Sequence, residues 1–149
     1  MLHLGSTYLF VKDMEKSIEF YKKLLDMEPT ARAYDRWAQF NFEGKCIALY
    51  NNSFDRKNID ANENLDKHYN KDYIKYFEKR KITYGNNCVL NFWIEDLNKE
   101  YERIKNLNIG VISEILYVNI SSPYYFFTVI DPNGNFIEIT GAYKKDWYS

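Results

Sequence analysis

Val129-Ile-Asp-Pro-Asn-Gly-Asn-Phe-Ile-Glu-Ile-Thr-Gly141 is the stretch that decides the fold of this chain. Pro132 presets φ, and Asn133-Gly134 supplies the positive φ of a tight reversal, so residues 131–134 read as a turn. The strand that follows, 135–140, alternates by side. Phe136, Glu138 and Thr140 point one way, Ile137 and Ile139 the other. A carboxylate between isoleucines belongs in a polar cavity or at an edge, because burying it without a partner costs several kcal/mol.

Working outward, two further strands are predicted before the turn, near 110–116 and 124–130. Ahead of them Leu97, Tyr101, Ile104 and Leu107 form a helical stripe that ends before Gly110, with Asp96 as its N-cap and a strand at 89–94 leading in. The same order stands earlier in the chain. A strand at 4–11 leads to Asp13 as an N-cap, with Lys16 where a capping box would want Glu. Met14, Ile18, Tyr21, Leu24 and Leu25 then keep helical spacing to about residue 26, and Pro29 stops the helix. Strands follow at 30–34, 37–42 and 46–50, the last after a Glu43-Gly44 turn. Strand, helix and three strands therefore occur twice, an internal repeat. Residues 51–87, rich in Asp, Asn and Lys, separate the copies and carry a short helix near 72–80. They read as a solvated connector, a lid or a dimer contact. The organisation expected is one domain over 1–149, with module 1 at about 1–50, a linker at about 51–87 and module 2 at about 88–143.

The composition narrows the classes. Of 149 residues, 46% are hydrophobic and 18% aromatic, enough for a core with aromatic surface left over. Twenty basic and 21 acidic residues give a net charge of −1, which argues against a nucleic-acid groove. No apolar run reaches the ~20 residues of a membrane span, and the start lacks the basic and apolar segments of a signal peptide. Cys46 and Cys88 form no CxxC pair, so reduced thiols in a cytoplasmic protein are expected.

The entry stretch Leu9-Phe-Val-Lys-Asp13-Met-Glu-Lys-Ser-Ile-Glu-Phe20-Tyr21-Lys-Lys-Leu24-Leu25 and the closing Asp131-Pro-Asn-Gly-Asn-Phe-Ile-Glu138-Ile carry a resemblance. With the repeat, they resemble the glyoxalase/bleomycin-resistance/extradiol-dioxygenase superfamily, the vicinal oxygen chelate fold. The resemblance implies an α+β fold of two βαβββ modules whose curved mixed sheets surround a cleft, with helices outside. It also implies pairing of single chains, so a homodimer is expected. The fold hosts both enzymes and binding proteins, so activity has to be argued from the site.

Strand alternation supplies the candidates. Thr7/Leu9/Val11, Ile47/Leu49, Leu90/Phe92/Ile94 and Ile137/Ile139 make an apolar face suited to lie under helices. The opposite faces carry Ser6, Tyr8, Phe10, Cys46, Ala48, Tyr50, Val89, Asn91, Trp93, Phe136, Glu138 and Thr140, a mixture of aromatic and polar groups suited to a ligand. The competing reading is that these aromatics pack together or cover a dimer surface. Metal-dependent relatives place ligands at positions that correspond here to Ser6, Ala48, Val89 and Glu138. Only Glu138 is a credible donor, so no metal and no other cofactor is expected. His3 and His68 are the only histidines. Together with Glu138 they could complete a site only if the linker folds over the cleft.

Two functions follow from the resemblance. The first is a metal-free binder of a small, partly aromatic or cationic molecule, as in bleomycin resistance. Ser6, Tyr8, Phe10, Tyr50, Asn91, Trp93 and Phe136 would line the site, and Glu138 would pair with the ligand. The alternative is a metal-dependent lyase, isomerase or dioxygenase with a non-standard site, or an enzyme using Glu138 as its catalytic base.

Overall fold

The computed structural model describes residues 1–145. The fold is α+β, with two four-stranded mixed sheets, each from one βαβββ module. The first module runs β1 (Thr7–Phe10), α1 (Met14–Leu25), β2 (Ala31–Ala33), β3 (Trp37–Phe42) and β4 (Lys45–Tyr50). Its sheet order is β1-β4-β3-β2, with β1 parallel to β4 and the other pairs antiparallel. The second runs β5 (Leu90–Asp96), α5 (Leu97–Leu107), β6 (Leu116–Asn119), β7 (Pro123–Ile130) and β8 (Phe136–Ala142), in the matching order β5-β8-β7-β6. Each parallel pair is joined through a long connection of one helix and two further strands, since parallel strands cannot be joined by a tight turn. The expected caps are in place: Asp13 accepts from Lys16 N at 3.1 Å and Asp96 from Lys99 N at 3.1 Å. Among the described residues no helix is long and apolar enough to cross a membrane.

The chain divides into two compact units, one of residues 1–18 and 27–84, the other of 19–26 and the chain from Gly85 onward. In the first, Leu9, Val11, Ile47 and Leu49 are buried with Ala38 and Phe40 of β3 and with Met14 and Ile18 of α1. In the second, Ile137 and Ile139 are buried with Phe127, Val129, Leu97 and Ile104. In β8 the apolar and mixed faces read from the sequence are the core and the open face, whereas in β4 Ala48 and Tyr50 of the mixed face are buried as well.

The turn at 131–134 is built on one carboxylate. Asp131 Oδ1 accepts from Asn133 N at 2.8 Å and Asn135 N at 2.9 Å, and Oδ2 from Asn135 Nδ2 at 2.8 Å and the Tyr21 hydroxyl at 2.6 Å. Gly134 alone takes the positive φ, at 87°, while Asn133 keeps a negative one. Gly141 is required for a different reason. A Cβ there would lie 2.2 Å from the Ile94 carbonyl oxygen, where β5 and β8 run parallel.

Two elements differ from expectation. The strand expected at 110–116 reduces to a single bridge, Ile112 to Val129, and β6 begins only at Leu116. Ser113 explains the gap: its hydroxyl takes the Thr128 N–H at 2.9 Å and so replaces a backbone carbonyl in the ladder. Residues 51–87 carry three helices rather than one: α2 (Asn52–Ala61), α3 (Leu65–His68) and α4 (Lys71–Lys79). They belong to the first unit and contribute Ile59 and Phe77 to its buried side chains.

Candidate functional site

The register of the first sheet puts Tyr8 beside Ala48 and Phe10 beside Tyr50, and sets Gln39 and Trp37 opposite those β4 residues. These side chains therefore share its open face. Tyr8 packs edge-on against Trp37 at 5.2 Å and against Tyr50 at 6.0 Å, and Phe10 against Tyr50 at 5.7 Å. Along β3 runs an amide ladder, in which Trp37 Nε1 donates to Gln39 Oε1 at 2.8 Å and Gln39 Nε2 to Asn41 Oδ1 at 3.2 Å. A pocket of about 590 Å³ opens on this face, lined by Ser6, Trp37, Gln39, Asn41 and Cys46 among others. Gln39 and Asn41 were not singled out from the sequence, although their alternation with Ala38 and Phe40 is the signal that places them there.

Of the residues expected here, Ser6 and Phe10 are half-buried and Tyr8 is exposed. Tyr50 is different, with only 4% of its surface exposed. Its hydroxyl donates to Asp55 in a short hydrogen bond and accepts from Arg80 Nη2 at 3.0 Å. Asp55, on α2, is fully buried. It also accepts from Arg36 Nε at 2.9 and 3.1 Å, from the Tyr69 hydroxyl at 2.6 Å and from the Tyr73 hydroxyl at 3.1 Å. Burial by itself pushes this carboxyl up. The hydrogen bonds from Arg36, Tyr50 and Tyr69, with the Arg36 charge, outweigh it and hold Asp55 below the usual carboxylate range. Burial first, and then the bond to Asp55, push the Tyr50 phenol well above its ordinary value, so it stays a neutral donor. Arg80 completes the cluster, its guanidinium 5.5 Å from the Phe10 ring and 5.3 Å from that of Tyr50. Thus the edge of the open face nearest Tyr50 is closed by the helical segment, through residues that sequence patterning did not reveal.

In the second sheet Asn91 lies beside Glu138 and Trp93 beside Thr140, with Thr128 and Phe126 across from the β8 residues. Asn91 Nδ2 donates to Glu138 Oε1 at 3.1 Å and to Thr140 Oγ1 at 2.9 Å. Glu138 is half-buried, and among the described residues no donor reaches its Oε2. Trp93 is 69% and Phe136 38% exposed, two rings on the same open face. The expected grouping of Asn91, Trp93, Phe136 and Glu138 on one side of the second sheet is what the register shows.

The donor set does not fit a resident metal. Ala48 and Val89 carry no ligating atom, Ser6 offers a neutral hydroxyl, and Glu138 is a single carboxylate already hydrogen-bonded to Asn91. Among the described residues no three His, Cys, Asp or Glu side chains come together in a way that could hold an ion. His3 is exposed ahead of β1, and His68 lies in α3 against the Tyr69 ring.

No curated protein matches the chain in sequence. Solved structures do match in fold. A protein from the mobile metagenome of V. pseudocholerae is 21% identical, with 95% of each chain covered and a TM-score of 0.62. A glyoxalase-related enzyme from Fulvimarina pelagi is 15% identical over 95% of this chain and 89% of its own, with a TM-score of 0.64. Lactoylglutathione lyase from Agrobacterium tumefaciens is 15% identical over 94% and 93%, with a TM-score of 0.63. At such identities the likeness speaks for the fold. The family assignment rests on the model of the Glyoxalase/Bleomycin resistance protein/Dioxygenase superfamily, which matches residues 2–139. With both motifs and all but the last three residues of β8 inside that match, the chain belongs to this superfamily.

Proposed function

We propose that the protein is a metal-free binder of a small, partly aromatic, cationic molecule, sequestering it in the manner of the bleomycin-resistance branch. The observation that carries this reading is Glu138: one oxygen is oriented by Asn91, the other is open, and Trp93 and Phe136 stand exposed on the same face. An oriented carboxylate beside aromatic rings suits a cationic ring system, which gains charge pairing and ring stacking together. The two cysteines are free, which suits the reducing cytoplasm. Leu116, Tyr117, Ile120 and Tyr124 lie exposed along the β6–β7 hairpin, apolar surface that a second copy would cover. The antibiotic-resistance role, the cytoplasmic location and the homodimer form one proposal with the binding activity.

Titration with N-methylquinolinium tests it. The expected result is saturable binding, weakened by about 1.5–3 kcal/mol in Glu138→Gln, the size of a hydrogen bond to a charged group. The melting temperature of the unliganded variant should stay close to that of the parent. Equal affinity in parent and variant would remove Glu138 from the site.

A further inference from the structure

A second pocket lies wholly within the first unit, and none of the residues expected from sequence to bind a ligand lines it. It has a volume of about 510 Å³, within the range that holds a drug-sized molecule. Two parallel aromatic pairs line it. Tyr34 stacks on Phe54 with centroids 6.0 Å apart and planes 14° apart, and Tyr69 on Tyr73 at 5.2 Å and 11°. Arg36, Asn58, His68 and Asn70 supply the polar part of the lining.

Tyr34 is the unusual member. It sits at φ 53°, in the left-handed region that bulky side chains rarely adopt, in a turn closed by Arg36 N to Ala33 O at 3.1 Å. Its ring is 80% exposed although it lies flat on Phe54. A strained backbone that holds an aromatic ring in water at a pocket's rim points to something the ring meets. The opposite pair is fixed from behind, since both phenol hydroxyls donate to the buried Asp55 and thus leave ring surface to the pocket. Asp55 also neutralises Arg36, so that pair brings no net charge to the aromatic walls. The Arg36 side chain is 38% exposed, with its Nε bound to Asp55 and its guanidinium also beside the Tyr73 hydroxyl and over the Tyr50 ring. The guanidinium has other N–H donors for an acceptor atom.

We propose that this pocket is a second ligand site, taking a flat, uncharged heteroaromatic molecule with a ring carbonyl or ring nitrogen as acceptor. The ring stacks against the tyrosine walls and the acceptor meets Arg36. This site goes beyond the function proposed above and does not depend on Glu138.

The test is titration of the ¹⁵N-labelled full chain with 2-quinolone, followed by backbone amide shifts. The expected result is saturable shifts centred on residues 34–36, 54–58 and 69–73, persisting in saturating N-methylquinolinium. Tyr34→Asn removes the ring but keeps a residue that tolerates the left-handed backbone, and it should weaken binding at least tenfold. The saturated lactam 2-piperidone should produce no saturable shifts. The proposal is overturned by an absence of saturable 2-quinolone binding, by unchanged affinity in Tyr34→Asn, or by displacement with N-methylquinolinium. It is overturned equally if 2-piperidone or the anion 2-naphthoate binds as tightly as 2-quinolone.

Discussion

Tyr21 and Asp131 are 110 positions apart and meet in a 2.6 Å hydrogen bond, which gives the two sequence motifs a shared physical cause. The Phe20-Tyr21 pair of the entry helix and the Asp-Pro-Asn-Gly turn are parts of one buried arrangement, in which Tyr21 is fully buried and Asp131 nearly so. Burial first, and then the neighbouring Asp131 charge, drive the Tyr21 phenol far above its ordinary value, so it remains a donor at any pH the protein meets. Tyr21→Phe deletes one of four hydrogen bonds to that carboxylate. It should lower stability by about 1.5–3 kcal/mol, measured by urea denaturation, while N-methylquinolinium affinity is unchanged. Glu138 shows the other side of residue-scale reading. Its type and its parity in β8 were visible in the sequence, whereas its Asn91 partner required the β5–β8 register.

At the scale of elements, α1 and α5 were legible because each keeps helical spacing after an aspartate cap, and most strands because they are short alternating or apolar runs bounded by turns. Helix α2 was not, for a specific reason. Its buried positions are Asp55 and Ile59, so a carboxylate stands where an apolar residue would have completed the stripe. The signals that remained were local ones, Asn51 as N-cap of α2 and Asn70 of α4, each accepting a backbone N–H. The late start of β6 was hidden likewise, since nothing in the pattern shows the Ser113 hydroxyl taking a place in the ladder. Asp55 gives these helices a pH dependence. Because its folded pKa is depressed, the stability it contributes is complete above its unfolded value of about 3.9 and is lost as pH falls through the folded value. Asp55→Asn should therefore cost about 2–4 kcal/mol near neutral pH, since it leaves Arg36 and three phenols poorly matched, and the gap to the parent should shrink below about pH 4. Thermal melts of both proteins between pH 3 and pH 7 check the sign. A gap that is constant with pH would refute the role assigned to this carboxylate.

For the whole molecule, the internal repeat and the superfamily were readable because both motifs lie within one matched span, residues 2–139, which takes in the first module and all of the second but the end of β8. Activity was not, because the same fold hosts both enzymes and binding proteins. The exposed β6–β7 hairpin leads to the expectation of a dimer, and sedimentation at tens of micromolar should return twice the mass of the 17.9 kDa chain. Tyr117→Glu should shift the protein toward monomer, whereas a parent that sediments as a monomer would refute the proposed pairing. The central claim is that binding is metal-free, and elemental analysis tests it most directly. The purified protein is dialysed against Zn²⁺, Ni²⁺, Mn²⁺ and Fe²⁺ in turn, freed of loose ions and analysed. Ser6, Ala48, Val89 and Glu138 together present one carboxylate, so far less than one metal per chain is predicted, with no change when Glu138 becomes glutamine. One metal per chain, retained by the parent and lost in Glu138→Gln, would contradict the account and make the protein a metal-dependent member of its superfamily.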